Sequence, residues 1–217
     1  MFTATSQYDP GAEENGLNRF PKGASVTLVS SSGPRRVAST LYASADPAVS
    51  FDGVRILFAG KASTNTPWEI WEVSAAGGIP RKAIQCQTDC THPLYLPDGR
   101  IVYSRANSAG SDIEVADGKG GTPQRLTLAP GRHVTQDVLH DGRILFKSNG
   151  ELFTIYPDGT GVEALRCDHG PRRSGARQVV SGDVIFSAGR PSGGFHRCAR
   201  NAERCRATEW GVDGADR

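Results

Sequence analysis

One short segment recurs along this chain in a fixed phase. FDGVRILFAG at Phe51–Gly60 returns as LPDGRIVYSR at Leu96–Arg105 and as LHDGRILFKS at Leu139–Ser148. The Asp-Gly pair stands at 52, 98 and 141, so its two steps are 46 and 43 residues. Pro34, Pro80 and Pro123 keep the same two steps, and Pro34 and Pro80 are each followed by a basic pair. A period of about 40–45 residues is that of four-stranded propeller blades, each a unit that buries its faces only against its neighbours. The expected fold is all-β: a β-propeller of four-stranded antiparallel blades.

Within the first full unit, AVSF before Asp52-Gly53 reads as a first strand. Asp-Gly reads as a two-residue hairpin turn, because Gly tolerates positive φ. VRILFAG is the second strand, with Ile56, Leu57 and Phe58 as a short buried run. WEIWEVS is the third, with Trp68, Ile70 and Val73 as its apolar members and Trp71 on the other face; RKAI is a short outer strand. The scheme repeats as PLYL, RIVYSR, DIEVA and QRLTL, and again as TQDVL, RILFKS, ELFTIY and VEALR. Ile56, Phe58, Ile101, Tyr103, Ile144 and Phe146 are expected to be buried on the second strands. ARQVV and VIFSAG begin a fourth unit around Ser181–Asp183, and SVTLVS, SSGP and RRVAS match the last two strands of a unit before the first.

The count is half a blade, three whole blades at about residues 46–84, 90–128 and 134–166, and half a blade. The chain divides into a polar N-terminal segment (1–23), a propeller domain (24–189) and an Arg-rich tail (190–217). Two arrangements fit. The outer halves pair as one composite blade, Ser25–Ser30 against Val184–Gly189, and close a small ring. Alternatively the chain is a piece of a larger propeller, with open strand edges that favour association. The tail, with Arg197, Arg200, Glu203, Arg204, Arg206 and Glu209 and no β alternation, points to the second. It reads as a shifted frame or as a disordered or helical tail.

Composition excludes several classes. A net charge of +2 gives no basis for nucleic-acid binding. No apolar run approaches the roughly 18 residues of a membrane span, so the chain is not expected to cross a membrane. The polar start MFTATSQYDPGAEENG, as written, reads as lacking a signal peptide, an appearance that a mis-set start or a missing upstream segment would also produce. Five cysteines leave one over after any pairing, which does not indicate a full disulfide framework and leaves the state of Cys86, Cys90, Cys167, Cys198 and Cys205 open.

The residues Asp46-Pro47, Phe51-Asp52-Gly53, Ile56-Leu57-Phe58, Trp68-Glu69-Ile70-Trp71, Gly77-Gly78 and Arg81 resemble the PD-type repeat of TolB-like propellers. LPDGRIVYS at Leu96–Ser104 is the nearest copy, and similar segments occur in propellers of the hydrazine synthase alpha-subunit type. Phe51, His140 and Ser181-Gly182-Asp183 depart from the pattern. The resemblance covers about residues 24–189. It implies a periplasmic, non-enzymatic scaffold that binds a protein partner, an envelope or transport component. Its motifs are turn and strand motifs, so it carries over no catalytic, cofactor or metal residue.

Chemistry-bearing residues gather where a propeller joins the fourth strand of one blade to the first of the next. Cys86, Cys90, His92, His133, Cys167, Asp168 and His169 all fall in such connections. Cys86, Cys90 and His92 with Cys167 or His169 would supply four zinc donors. Metal or haem surroundings built from Cys90, His133, Cys167 and His169 form the alternative, enzymatic reading. Against it, the spacing is not a standard paired one, loops of this type collect polar residues, and single cysteines pack as small hydrophobes. A disulfide, Cys90–Cys167 before Cys86–Cys90, is a further option. No Cys-x-x-Cys-His marks covalent haem, and no Gly-x-Ser-x-Gly marks a hydrolase. Asp117–Gly121 and Gly77-Gly78 read as turns rather than phosphate loops. Trp68 and Trp71 read as blade packing, and Arg166, Arg172, Arg173 and Arg177 as a solvated loop rather than an acidic-partner site.

Overall fold

The computed structural model describes residues 2–4, 20, 23–30, 33–119, 121–165, 177–180, 183–187, 195–198 and 205–208. Two compact units divide the chain, residues 1–135 and 136–217, and each is treated by itself. Every described element is a strand, and no helix interrupts them.

In the first unit, β1 (Phe2–Ala4), β2 (Ser25–Ser30) and β3 (Gly33–Arg36) form a three-stranded sheet. β4 (Ala43–Val49), β5 (Arg55–Lys61), β6 (Glu69–Ser74) and β7 (Arg81–Ile84) form a four-stranded antiparallel meander. β8 (Cys90–Tyr95), β9 (Ile101–Asn107), β10 (Gly110–Ala116) and β11 (Gln124–Arg125) form the next. The unit boundary falls within β12 (His133–Val138), which opens a third meander with β13 (Ile144–Ser148), β14 (Glu151–Ile155) and β15 (Glu163–Ala164). A fourth consists of β16 (Arg177–Val180), β17 (Asp183–Ser187), β18 (Phe195–Cys198) and β19 (Cys205–Thr208).

The three full blades stand where the repeat placed them, and the partial ones are corrected. β1 flanks β2 on the side away from β3, so the first sheet has three strands rather than two. Both edges of β2 are thereby occupied, and β17 lies between β16 and β18. The composite pairing of Ser25–Ser30 with Val184–Gly189 is therefore not made. β18 and β19 lie within the tail expected to lack strands, and the last blade has four strands rather than two. Sequence periodicity missed them because four-residue strands are too short to show alternation among so many arginines.

Strand β5 shows why the second-strand run is apolar on both faces. Ile56 and Phe58 pack with Val26, Val37, Ala38 and Val73, against the β1–β3 sheet. Leu57, between them, faces the other way and packs with Ile70, Ala83, Ile84, Tyr95, Ile101 and Tyr103, against the next blade. Adjacent residues of one strand thus serve two blade interfaces. All six second-strand residues named from the sequence are buried. One face assignment is corrected: Trp71 shares the side of Val73, while Ile70 faces the following blade. Plain alternation along β6 produces this: its regular pairing with β5 sets Trp71 opposite Phe58 and Val73 opposite Ile56, with Ile70 on the other face. In the second unit, Leu139, Leu145 and Leu152 form a cluster, and Phe146 stacks on its cross-strand partner Phe153 at 5.6 Å.

The Asp-Gly turns are three-residue loops, not two-residue ones. The Leu96 N–H donates to Arg100 O and the Gly99 N–H to Leu96 O, enclosing Pro97-Asp98-Gly99. Gly99 sits at φ +85, the left-handed position that closes such a loop. Leu139–Arg143 repeats the pattern, and so does Tyr156–Thr160 between β14 and β15. The β4–β5 turn differs. There the Ser50 N–H reaches Arg55 O, so one extra residue, Val54, is looped out.

Candidate functional site

The first strands of successive blades are linked through one structural position. Asp46 on β4 and His92 on β8 both take left-handed backbone angles, φ 50 and 52, where each strand shifts register against its partner. Such angles are uncommon for residues other than glycine, although Asp and His tolerate them better than most. The His92 N–H donates to Asp46 Oδ2 at 3.2 Å, and His92 Nδ1 lies 3.7 Å from the same oxygen. Thr135 on β12 donates its hydroxyl to His92 O at 2.5 Å, and its own N–H donates to Ser104 Oγ. Asp46, His92 and Thr135 are spaced 46 and 43 residues apart, the period of the Asp-Gly turns. That spacing is present in the sequence, where Asp46 stands out only within the repeat motif and His92 only among the loop histidines.

The cysteine and histidine cluster separates into unlike pieces. Cys86 and Cys90 form a disulfide with Cα atoms 6.2 Å apart, which closes the β7–β8 connection. This corrects the preference for Cys90–Cys167, and it removes both sulfurs from the proposed zinc donors, since a metal needs thiolates. The geometry favours the local pair because the three residues between Cys86 and Cys90 return the chain to within disulfide reach. His133 is buried, with Nε2 2.8 Å from Ala129 O in its own loop, and its carbonyl accepts the Ser111 hydroxyl at 2.7 Å. Cys167, Asp168 and His169 lie outside the described residues, as do Arg166, Arg172 and Arg173. Cys198 and Cys205 are register partners across β18 and β19. Among the described residues, no group of three or more His, Cys, Asp or Glu is arranged to hold a metal.

Charged groups between blades are closed against one another. Glu72 on β6 is buried and accepts the Tyr95 hydroxyl of the next blade at 2.7 Å, with Arg55 and Arg81 converging on its two oxygens. Burial first, then the hydrogen bond to Glu72 and its charge, pushes the Tyr95 hydroxyl well above the ordinary tyrosine range. Tyr103 is raised in the same way, by burial and then by Glu114, which Arg105 also reaches. Buried Glu69 is met by Lys82 at 2.8 Å. These tyrosines hold their protons and serve as donors within the fold rather than as acids poised near neutrality. Asp137 on β12 is a further group that sequence reasoning did not single out. Burial holds its carboxyl above the usual aspartate value, partly offset by the Val138 N–H.

At the opposite ends of the strands, the turn aspartates cap their own loops. Asp98, Asp117, Asp141 and Asp158 each accept the N–H two residues on. Arg100 and Arg143 also fold back onto Asp98 and Asp141 at 2.8 and 2.9 Å. Asp117 Oδ1 also accepts the Gly121 N–H, so this glycine-rich segment is a carboxylate-closed turn. Trp68 is buried and Trp71 half-buried, both within blade packing.

No protein-family model matches the chain, and no curated protein matches it. Solved structures do. A hydrazine synthase of Kuenenia stuttgartiensis matches over 91% of this chain and 40% of its own, at TM-score 0.73 and 16% identity. A putative TolB from Agrobacterium tumefaciens matches over 80% of this chain and 68% of its own, at TM-score 0.64 and 22% identity. TolB from Acinetobacter baumannii matches over 81% of this chain and 46% of its own, at TM-score 0.59 and 16% identity. The fold is that of a TolB-like β-propeller. Identities this low carry the fold and not the activity. The chain spans less than half the length of the hydrazine synthase chain and of the Acinetobacter TolB chain.

Proposed function

We propose that this chain is a non-enzymatic TolB-like propeller scaffold that binds a protein partner in the bacterial envelope, on the periplasmic side. The observation that carries the reading is the likeness of its fold to two TolB structures, of which the Agrobacterium one is covered over 68% of its length. The use of its buried and half-buried carboxylates supports it: Glu69, Glu72 and Glu114 are each committed to a Lys, Arg or Tyr. The Cys86–Cys90 disulfide supports an oxidising compartment. No helix among the described residues is long and apolar enough to cross a membrane.

The likeness to hydrazine synthase favours a second reading, a metal- or haem-associated enzyme domain around Cys90, His133, Cys167 and His169. Cys90 and His133 do not fit it, because the Cys90 sulfur is bonded to Cys86 and the His133 ring is turned to Ala129 O. The test is crosslinking in intact cells, reconstitution of the captured envelope protein with the purified chain by calorimetry, and elemental and absorbance analysis of the chain. A stoichiometric complex with an envelope protein is expected. Stoichiometric transition metal or haem, or only cytoplasmic proteins captured, would overturn the reading.

A further inference from the structure

The β4–β5 turn departs from its repeat in a way that concerns its surface. In the next blades the turn is Pro97-Asp98-Gly99-Arg100 or His140-Asp141-Gly142-Arg143, and the arginine neutralises its own aspartate. Here Phe51 replaces the proline or histidine, and Val54 is looped out where the arginine would stand. Arg55, one position later, reaches Glu72 and the Tyr95 ring and keeps only a 3.9 Å approach to Asp52. Phe51 is 71% exposed and Val54 55%. An Asp-Gly turn needs neither residue, because the other turns close with polar ones.

The apolar turn does not stand alone. The Ala75 N–H donates to Val54 O at 2.9 Å, joining this turn to the β6–β7 turn that carries Ile79, 94% exposed. Arg35 of β3 donates to Ala75 O at 3.2 Å and lies against Gly77. Val49, at the end of β4, is also half exposed. We take the exposed Val49, Phe51, Val54 and Ile79, carried by two turns that are hydrogen-bonded to each other, as one apolar patch. Exposed apolar residues grouped in this way mark interaction surfaces more often than scattered ones do.

Charge around the patch selects the occupant. Arg35, Arg55 and Arg81 border it with exposed or half-exposed guanidinium groups. Glu72, which two of them touch, is buried, so Asp52 is the one carboxylate of this group that faces solvent. We propose that this patch docks an acidic protein segment that places apolar side chains between its carboxylates. This rests on the reading of the chain as a protein-binding scaffold, and it names the surface and the chemistry of the partner. Aromatic and arginine residues together are the usual carriers of binding energy at such surfaces, and the guanidinium groups would speed encounter with an acidic segment.

The test uses the full chain and three fluorescent peptides of equal length, read by anisotropy. One combines Glu with Leu and Phe, one Glu with Ser and Gly, and one Lys with Leu and Phe. Only the first is expected to bind, more weakly as salt rises. Phe51→Ser with Ile79→Ser should weaken it at least about tenfold, and Arg35→Glu should weaken it too, with the salt dependence reduced. Tyr156→Ser, in the other unit, should leave binding unchanged. Equal binding of the basic peptide, or indifference to the Phe51 and Ile79 changes, would overturn the proposal. So would concentration-dependent self-association abolished by Phe51→Ser, which would make a second copy the occupant. Because these side chains are exposed, the variants should keep the parent's unfolding midpoint. An envelope partner that still binds the Phe51→Ser, Ile79→Ser chain would refute this surface and leave the scaffold reading intact. Loss of every envelope partner from the unaltered chain would refute the scaffold reading instead.

Discussion

Replacing Gly110 by alanine should damage the first unit far more than the same change at Gly99. Both glycines have positive φ, +136 and +85. At Gly99 an added Cβ meets nothing within 4 Å. Its cost is the backbone strain alone, about 1–2 kcal/mol. At Gly110 the Cβ would lie 2.5 Å from Gly131 O, 2.8 Å from Gly131 C and 3.0 Å from Arg132 Cα. These are backbone atoms and cannot rotate aside. The start of β10 would have to part from residues 131–132, which breaks the Ser111 N–H bond to Gly131 O and the bridge between Ser111 and Arg132. Strain of roughly 1–3 kcal/mol plus a lost hydrogen bond of about 1 kcal/mol gives about 3 kcal/mol. Urea unfolding followed by the fluorescence of Trp68 and Trp71 reads the same unit. With a slope of roughly 2 kcal/mol per molar urea, the midpoint should fall by about 1.5 M for Gly110→Ala and by about 0.5–1 M for Gly99→Ala. Equal shifts, or a larger one at Gly99, would refute the close approach at residues 131–132.

Removing the Phe58 ring, buried between two sheets, should cost about 3–5 kcal/mol, whereas Arg125→Ala on the exposed outer strand should leave the midpoint almost unchanged by the same assay. The disulfide should protect Cys86 and Cys90 from iodoacetamide until a reductant is added, by mass spectrometry, and Cys86→Ser with Cys90→Ser should cost about 2 kcal/mol for so short a loop. Acid should destabilise the blades through the turn aspartates. At Asp98 and Asp141 burial raises the carboxyl, but the Arg100 and Arg143 hydrogen bonds outweigh it and hold each below the ordinary 3.8. The unfolded chain then binds more protons in that window, so the contribution is present above about pH 4 and is lost as pH falls through the lowered folded value. Asp98→Asn with Asp141→Asn should flatten the decline of the urea midpoint between about pH 5 and pH 2; an unchanged slope would contradict the assignment.

The blades were legible because their signals are local and repeated. Asp-Gly fixes a turn through glycine's backbone and the aspartate's own carboxyl, and Ile-Leu-Phe fixes a strand buried on both faces. The third turn residue was not legible, because Leu96 and Arg100 pair only once both strands are in place. The side of Trp71 was legible in strand alternation, which puts residues 71 and 73 on one face and residue 70 on the other. For the candidate site, proximity along the chain misled. Cys90 and His133 belong to similar connections, yet one is tied to Cys86 and the other to Ala129 O. The shared role of Asp46, His92 and Thr135 escaped because three unlike residue types at one repeat position look like variation until their hydrogen bonds are seen.

The junction of Asp46, His92 and Thr135 joins one blade to the next through the backbone of the inner strand. Its steps are 46 and 43 residues, so the amount of chain between junctions is not held constant. The surplus is absorbed in turns such as the one that loops out Val54. A propeller linked in this way can lengthen or shorten its outer turns without changing the angle between neighbouring blades. New recognition loops could then be inserted at residues 51–54 or 75–79 while the rest of the first unit keeps its geometry.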